Sequence, residues 1–238
     1  MRLLALETST EYCSCALNLD GDVRESCVLA GQRHSELLLP MVGELMAQAG
    51  LAFSQLDVIA FGAGPGSFTG LRIACGAAQG LAFAHELPVV PVVTLEALAE
   101  ASGADRVLAC LDARLGELYL AAYERADGNE WKVAFEPALL KTDALPALTG
   151  AWVGVGSGFA AHASALEAKY TLGNILPNAF PRATAIARLG AVRYARGQTV
   201  AADAAIPLYL RDKVALDVHE QAALRAERRQ PAVGGVAA

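Results

Sequence analysis

At 238 residues, with 54% apolar and 18% charged side chains, the chain can fill one large core or two compact ones, which excludes wholesale disorder. Its formal charge of −6 excludes the broad positive field that non-specific nucleic-acid binding needs. The five cysteines contain no CxxC pair and are odd in number, the usage of reduced, buried thiols in a cytoplasmic protein.

In chain order, 2–7 reads as a buried first strand, 13–19 as a second and 23–30 as a third, with a turn at 18–21 between the last two. The spacing of Leu38, Met41, Val42, Leu45 and Ala49 predicts a helix over 34–49, ended by Gly50. A strand over 56–61 runs into the glycine turn FGAGPGSFTGLR (61–72) and then a helix from Gly70 to His85. Strand 88–93 and helix 95–101 follow, stopping at Gly103. Beyond lie strands at 106–111, 117–123, 131–135 and 152–155, with a turn at Asp127-Gly128, then helices at 159–169 and 181–196. The apolar run after Arg2 stops at Glu7, and Arg72, Gln79, His85 and Glu86 interrupt 70–87, so neither a leader nor a membrane span is expected.

Three meandering strands followed by alternating helix and strand fit a mixed five-stranded sheet with helices on its faces, a ribonuclease-H-like α/β layout. We divide the chain into a first subdomain at 1–103, a smaller and less complete second at 104–220, its last helices free to pack back on the first, and a largely flexible tail at 221–238 that carries Arg225, Arg228 and Arg229.

The glycine turn, with Gly62, Gly64, Gly66 and Gly70, either grips a phosphate through converging N–H groups or lets the next helix pack closely on the sheet. It is neither a Walker pattern nor a GxGxxG unit. Gly76, Gly80 and Ala84, four apart, form a ridge with almost no side chain, beside the apolar Ala74, Ala77, Ala78 and Leu81. Such a helix offers a second face for close contact with another molecule. Glu7, ahead of Thr8-Ser9-Thr10, stands where phosphotransfer folds hold a metal–nucleotide complex, but a lone acid before a turn also caps it. Asp112 and Arg114 read as a site at a strand end or as a fixed ion pair, and the Gly154–Gly158 loop as a second cradle or a simple turn. His34, His85, His162 and His219 make no metal-ligand pair, and no HExxH or GxSxG occurs.

LLALETST (3–10), RHSELLLP (33–40), FGAGPGSFTGLRI (61–73), LDARLGELY (111–119), PRA (181–183) and PLYLR (207–211) together resemble the TsaB (YeaZ) family. These are the non-catalytic paralogues of the threonylcarbamoyl transferase TsaD. The resemblance implies the two-lobed actin/Hsp70/sugar-kinase fold with a reduced second lobe. It implies a scaffold and activator without activity alone, needed for threonylcarbamoyl transfer to N6 of adenosine 37 in tRNAs reading codons that begin with adenine. Where the catalytic paralogue carries a His-x-x-x-His metal pair, this chain has Thr94 and Leu98, so no metal is expected. The implied partners are TsaD and the P-loop ATPase subunit TsaE, with tRNA reached only through the complex, a homodimer when alone, and no membrane. The implied interface involves His34, Leu38, Met41, Leu45, Leu71, Gly76, Gly80 and Ala84. ATP or ADP is expected at the subunit junction, touched by Glu7, Gly64, Gly66 and Arg72. The alternative is an autonomous ATPase or small-molecule kinase of the same fold.

Overall fold

The computed structural model describes residues 1–126 and 130–211. The Asp127-Gly128 turn, His219 and the tail from 221 lie outside them. Strands β1 (Arg2–Glu7), β2 (Tyr12–Leu19) and β3 (Asp22–Leu29) form the antiparallel meander, with Asp20 and Gly21 in the left-handed region at the second turn. Helix α1 (His34–Ala49) ends at Gly50, whose φ of 66° only glycine takes at little cost. Then come β4 (Val58–Gly64), α2 (Phe68–Ala84), β5 (Val89–Val93) and α3 (Thr94–Ser102). α2 starts two residues earlier than its glycine spacing implies, because the Ser67 hydroxyl accepts the Gly70 N–H and caps it.

The first sheet runs β3-β2-β1-β4-β5, with β4 and β5 parallel to β1. Alternation along β1 divides its core. Leu4 and Leu6 face α1 and α2 and meet Leu38, Met41, Val42, Ala74 and Ala78. Leu3 and Ala5 face the opposite way, toward Ala97 of α3 and Ile186 and Leu189 of a later helix.

The second half contains β6 (Arg106–Arg114), β7 (Glu117–Arg125), β8 (Trp131–Lys141), β9 (Ala151–Val155) and β10 (Thr171–Leu176). Its order, β8-β7-β6-β9-β10, repeats the first sheet strand for strand. The reduction is therefore in helices and not in strands. Only a three-residue turn of helix (142–144) stands where α1 stands in the first lobe. The predicted helix at 159–169 is two short ones, α4 (Gly158–Ala161) and α5 (Ala163–Lys169), broken at His162. Strand β10 escapes sequence reading because Gly173 and Asn174 interrupt its alternation, and the pairing with β9 is irregular between Leu172 and Asn174. β8 continues past Phe135 through Pro137, which an edge strand tolerates.

Helix α6 (Ala183–Ala195) returns to the first lobe and packs across β1, β2 and β4. α3 lies between the lobes, giving Ala97 to the first core and Leu95, Leu98 and Ala99 to the second. Among the described residues no helix is long and apolar enough to cross a membrane.

Candidate functional site

The glycine turn is shaped around the segment after β1. A Cβ on Gly62 would stand 2.7 Å from the Glu7 carboxyl carbon and closer still to Oε2. One on Gly66 would lie 2.6 Å from the Ser9 carbonyl oxygen, and one on Gly70 would strike the Thr8 carbonyl. That closeness lets the Ser67 N–H donate to Ser9 O at 2.8 Å and Thr8 Oγ1 donate to Gly70 O at 2.7 Å. Gly64, at φ 117°, donates its N–H to Thr94 Oγ1 at 3.0 Å. Thr94 is buried beneath the turn, and Leu98 is buried in the second core, its side chain against Gly156. So Thr94 supplies a hydroxyl that holds the turn, and Leu98 is packing. Among the described residues no group of three His, Cys, Asp or Glu could hold a metal ion.

A cleft of about 1100 Å³ opens between the lobes, lined by Ser9, Thr10 and Gly66 from one side, Asp112 and Ser157 from the other, and Arg211. Of the residues assigned to nucleotide, Gly66 alone reaches it. Glu7 is 1% exposed, with Oε1 accepting the Ser9 N–H at 2.5 Å and Oε2 unpartnered. Burial raises its pKa, only partly offset by the Ser9 side chain and the Ser9 and Thr8 N–H groups. Gly64 is covered by the Leu208 carbonyl, 2.7 Å from where its Cβ would be. Arg72 stacks over Phe68 at 3.8 Å and donates to Tyr209 Oη at 3.1 Å. Glu7 is sealed and Gly64 covered, while Arg72 is exposed on α2 outside the cleft lining.

Asp112 is held in an ion pair with Arg114 at 3.1 Å, His162 Nε2 lies 3.6 Å away, and the Asp112 N–H donates to Ser157 Oγ at 3.1 Å. The glycines of the second loop serve packing: a Cβ on Gly158 would collide with the Cys110 side chain, and one on Gly154 would lie 2.5 Å from the Phe159 ring. Burial pushes the Cys110 and Cys15 thiols up to about 12 and Cys13 to about 11, so none is a nucleophile at neutral pH.

The residues that the resemblance implies at an interface sort into two groups. Leu38, Met41, Leu45 and Leu71 turn inward and belong to this chain's own core. The stripe on α1 that sequence reading assigned to a partner is the stripe that seals α1 to the sheet. His34 is buried too, its Nε2–H donating to Tyr12 O at 3.2 Å. Gly76, Gly80 and Ala84 face outward, and Cβ atoms built on the two glycines meet nothing within 4 Å. Beside them Phe83 is 81% exposed, and on α1 Leu39 is 54% exposed. Sequence reading missed Phe83, although it lies seven residues after Gly76 and three after Gly80, on the same helical face.

The family model for TsaD, tRNA N6-adenosine threonylcarbamoyltransferase, matches residues 28–217. The curated tRNA threonylcarbamoyladenosine biosynthesis protein TsaB of Escherichia coli (strain K12) is 40% identical over 226 residues, covering 90% of this chain and 96% of that protein. The chain belongs to the TsaB (YeaZ) family. TsaB of Haemophilus influenzae is 38% identical, covering 90% of this chain and 95% of that protein. The solved structure of YeaZ from Pseudomonas aeruginosa superposes with a TM-score of 0.83 at 38% identity, covering 88% of this chain and 99% of that one. The two sheets of equal strand order are thus the lobes of a TsaB-family fold.

Proposed function

We propose that this TsaB-family chain works in tRNA threonylcarbamoyladenosine biosynthesis as a non-catalytic scaffold and activator of its catalytic paralogue, TsaD. The paralogue transfers threonylcarbamoyl to N6 of adenosine 37 in tRNAs reading codons that begin with adenine, and this chain supports that transfer by dimerising with it in the cytoplasm. The observation that carries the reading is the outer face of α2. Gly76 and Gly80 leave its backbone open to close approach, and Phe83 stands exposed beside them as an apolar anchor. Withdrawal of Glu7, Gly64 and Arg72 from the cleft supports the non-catalytic half of the reading. The P-loop ATPase TsaE joins the paired subunits, ATP or ADP sits at their junction, tRNA is met through the complex, and the same face closes a homodimer when the chain is alone.

Co-purification with the paralogue, followed by a rate assay on unmodified tRNA, tests this. The paralogue should be slow alone and fast with this chain, and Gly76→Trp should abolish both pairing and stimulation. Stimulation no greater than that by an inert protein would sink the proposal. The inter-lobe cleft favours a second reading, an autonomous ATPase or small-molecule kinase. Tight stoichiometric binding of Mg-ATP to the isolated chain by calorimetry would establish it over the first.

A further inference from the structure

We propose that residues 205–211 are a clasp that couples the helix facing the partner, α2, to the closure of the two lobes.

One short segment grips both lobes. Along α2 the Ala205 carbonyl accepts Gln79 Nε2 at 2.8 Å and Cys75 Sγ at 3.2 Å, and one turn nearer the glycine turn Arg72 Nε reaches Tyr209 Oη. These side chains, at positions 72, 75 and 79, form one stripe of α2, next to the outward stripe of Gly76 and Gly80. Between them the Leu208 N–H donates to Ala63 O at 2.7 Å, fastening the segment to the end of β4. At its far end Arg211 Nη2 donates to Ala113 O at 2.9 Å and to Glu117 Oε2 at 2.6 Å, on either side of the β6–β7 hairpin in the second lobe. Among the described residues the lobes are also joined by α3, by the return of the chain from β10 to α6, by Trp131 of β8 packed against the first lobe, and by the Arg196–Glu130 ion pair. α3, packed into both cores, is placed as the hinge, and 205–211 bridges the open side of the cleft.

The two grips are unequal. The first-lobe end has several hydrogen bonds, a buried alanine and the Phe68–Tyr209 ring contact. The second-lobe end is one side chain whose Nε is buried without a partner, a cost charged against holding it there. The hairpin it grips turns through Arg114 and Leu115 in the left-handed region, at φ 65° and 56°. A contact pressed on α2 shifts the residues that hold Ala205 and Tyr209, and the segment passes that shift to the hairpin across the cleft.

Hydrogen–deuterium exchange on the full chain tests this, with wild type, Arg211→Ala, Arg211→Lys and Gln79→Ala. In the isolated chain, Arg211→Ala and Gln79→Ala should each speed exchange of hairpin amides 111–119 by about tenfold while leaving β1 and β9 unchanged. Arg211→Lys, keeping the charge without the fork, should fall between. Gln79→Ala is decisive, because it removes a contact in the other lobe that a purely local role for Arg211 would not feel. Unchanged hairpin exchange in Gln79→Ala overturns the clasp, whatever Arg211→Ala does. The partner-dependent half rests on the scaffold reading: added paralogue should slow the wild-type hairpin about fivefold, and the variants, still co-purifying, by less than twofold. Variants that co-purify and slow like wild type refute the coupling alone, whereas failure of wild type to co-purify refutes the scaffold reading and leaves the isolated-chain result to decide the clasp.

Discussion

The carboxyl of Glu7 occupies the space that a side chain at Gly62 would take. The two residues sit side by side on parallel strands, β1 and β4, and the missing Cβ on one is what admits the acid of the other. An acid at the end of a first strand, where a metal–nucleotide complex would call for it, is here turned into the protein and sealed off from the cleft.

Gly62→Ala should destabilise the chain by about 1–3 kcal/mol, because the added methyl overlaps a buried side chain that has nowhere to move. In the double variant Glu7→Ala/Gly62→Ala the overlap is gone, so the two effects should not add, and urea denaturation of the four proteins measures the coupling. Gly70→Ala has no such rescue, since the obstacle is the Thr8 backbone carbonyl.

Glu7 also predicts a pH signature. Its folded-state pKa is raised above the usual 4.5, so the folded chain holds this proton more tightly than the unfolded chain does. The resulting stabilisation is full below the unfolded value and is lost as pH rises through the folded one. Compared with Glu7→Gln, wild type should therefore lose stability from about pH 4.5 upward until the carboxyl has ionised, as read by denaturant midpoints across the range. A constant difference between the two proteins would show that the carboxyl does not titrate in the fold.

On α2 the same residue type predicts the reverse. Gly76→Ala and Gly80→Ala meet open space on an exposed helix face and should each stabilise the isolated chain by about 0.5–1 kcal/mol. Gly80→Trp should leave the melting temperature of the isolated chain nearly unchanged and still prevent co-purification with the paralogue. Loss of fold in Gly80→Trp would mean that this face packs within the chain.

Thiol reactivity should follow burial. Iodoacetamide at neutral pH should label the half-buried Cys27 first and spare Cys13, Cys15 and Cys110 until the chain unfolds, with mass spectrometry reading the order.

The extents of β1, α1 and β5, the stops at Gly50 and Gly103, and the small-residue ridge of α2 follow from local patterning, because apolar period and left-handed glycines are written in adjacent residues. The match to the TsaB family was legible too, since its motifs are linear. Which face of α1 is a surface was not legible: a stripe of Leu38, Met41 and Leu45 looks the same whether it meets a sheet or another protein, and only the position of β1 and β2 assigns it to the core. The equal strand count of the second lobe was hidden by Gly173 and Asn174, where pairing with β9 supplies the order that alternation does not. Above all, sequence placed Glu7, Gly64 and Arg72 near one another but could not orient them. That depended on Gly62 leaving room for a carboxyl and on 205–211 returning from more than a hundred residues away to cover the turn, long-range contacts that only tertiary packing decides.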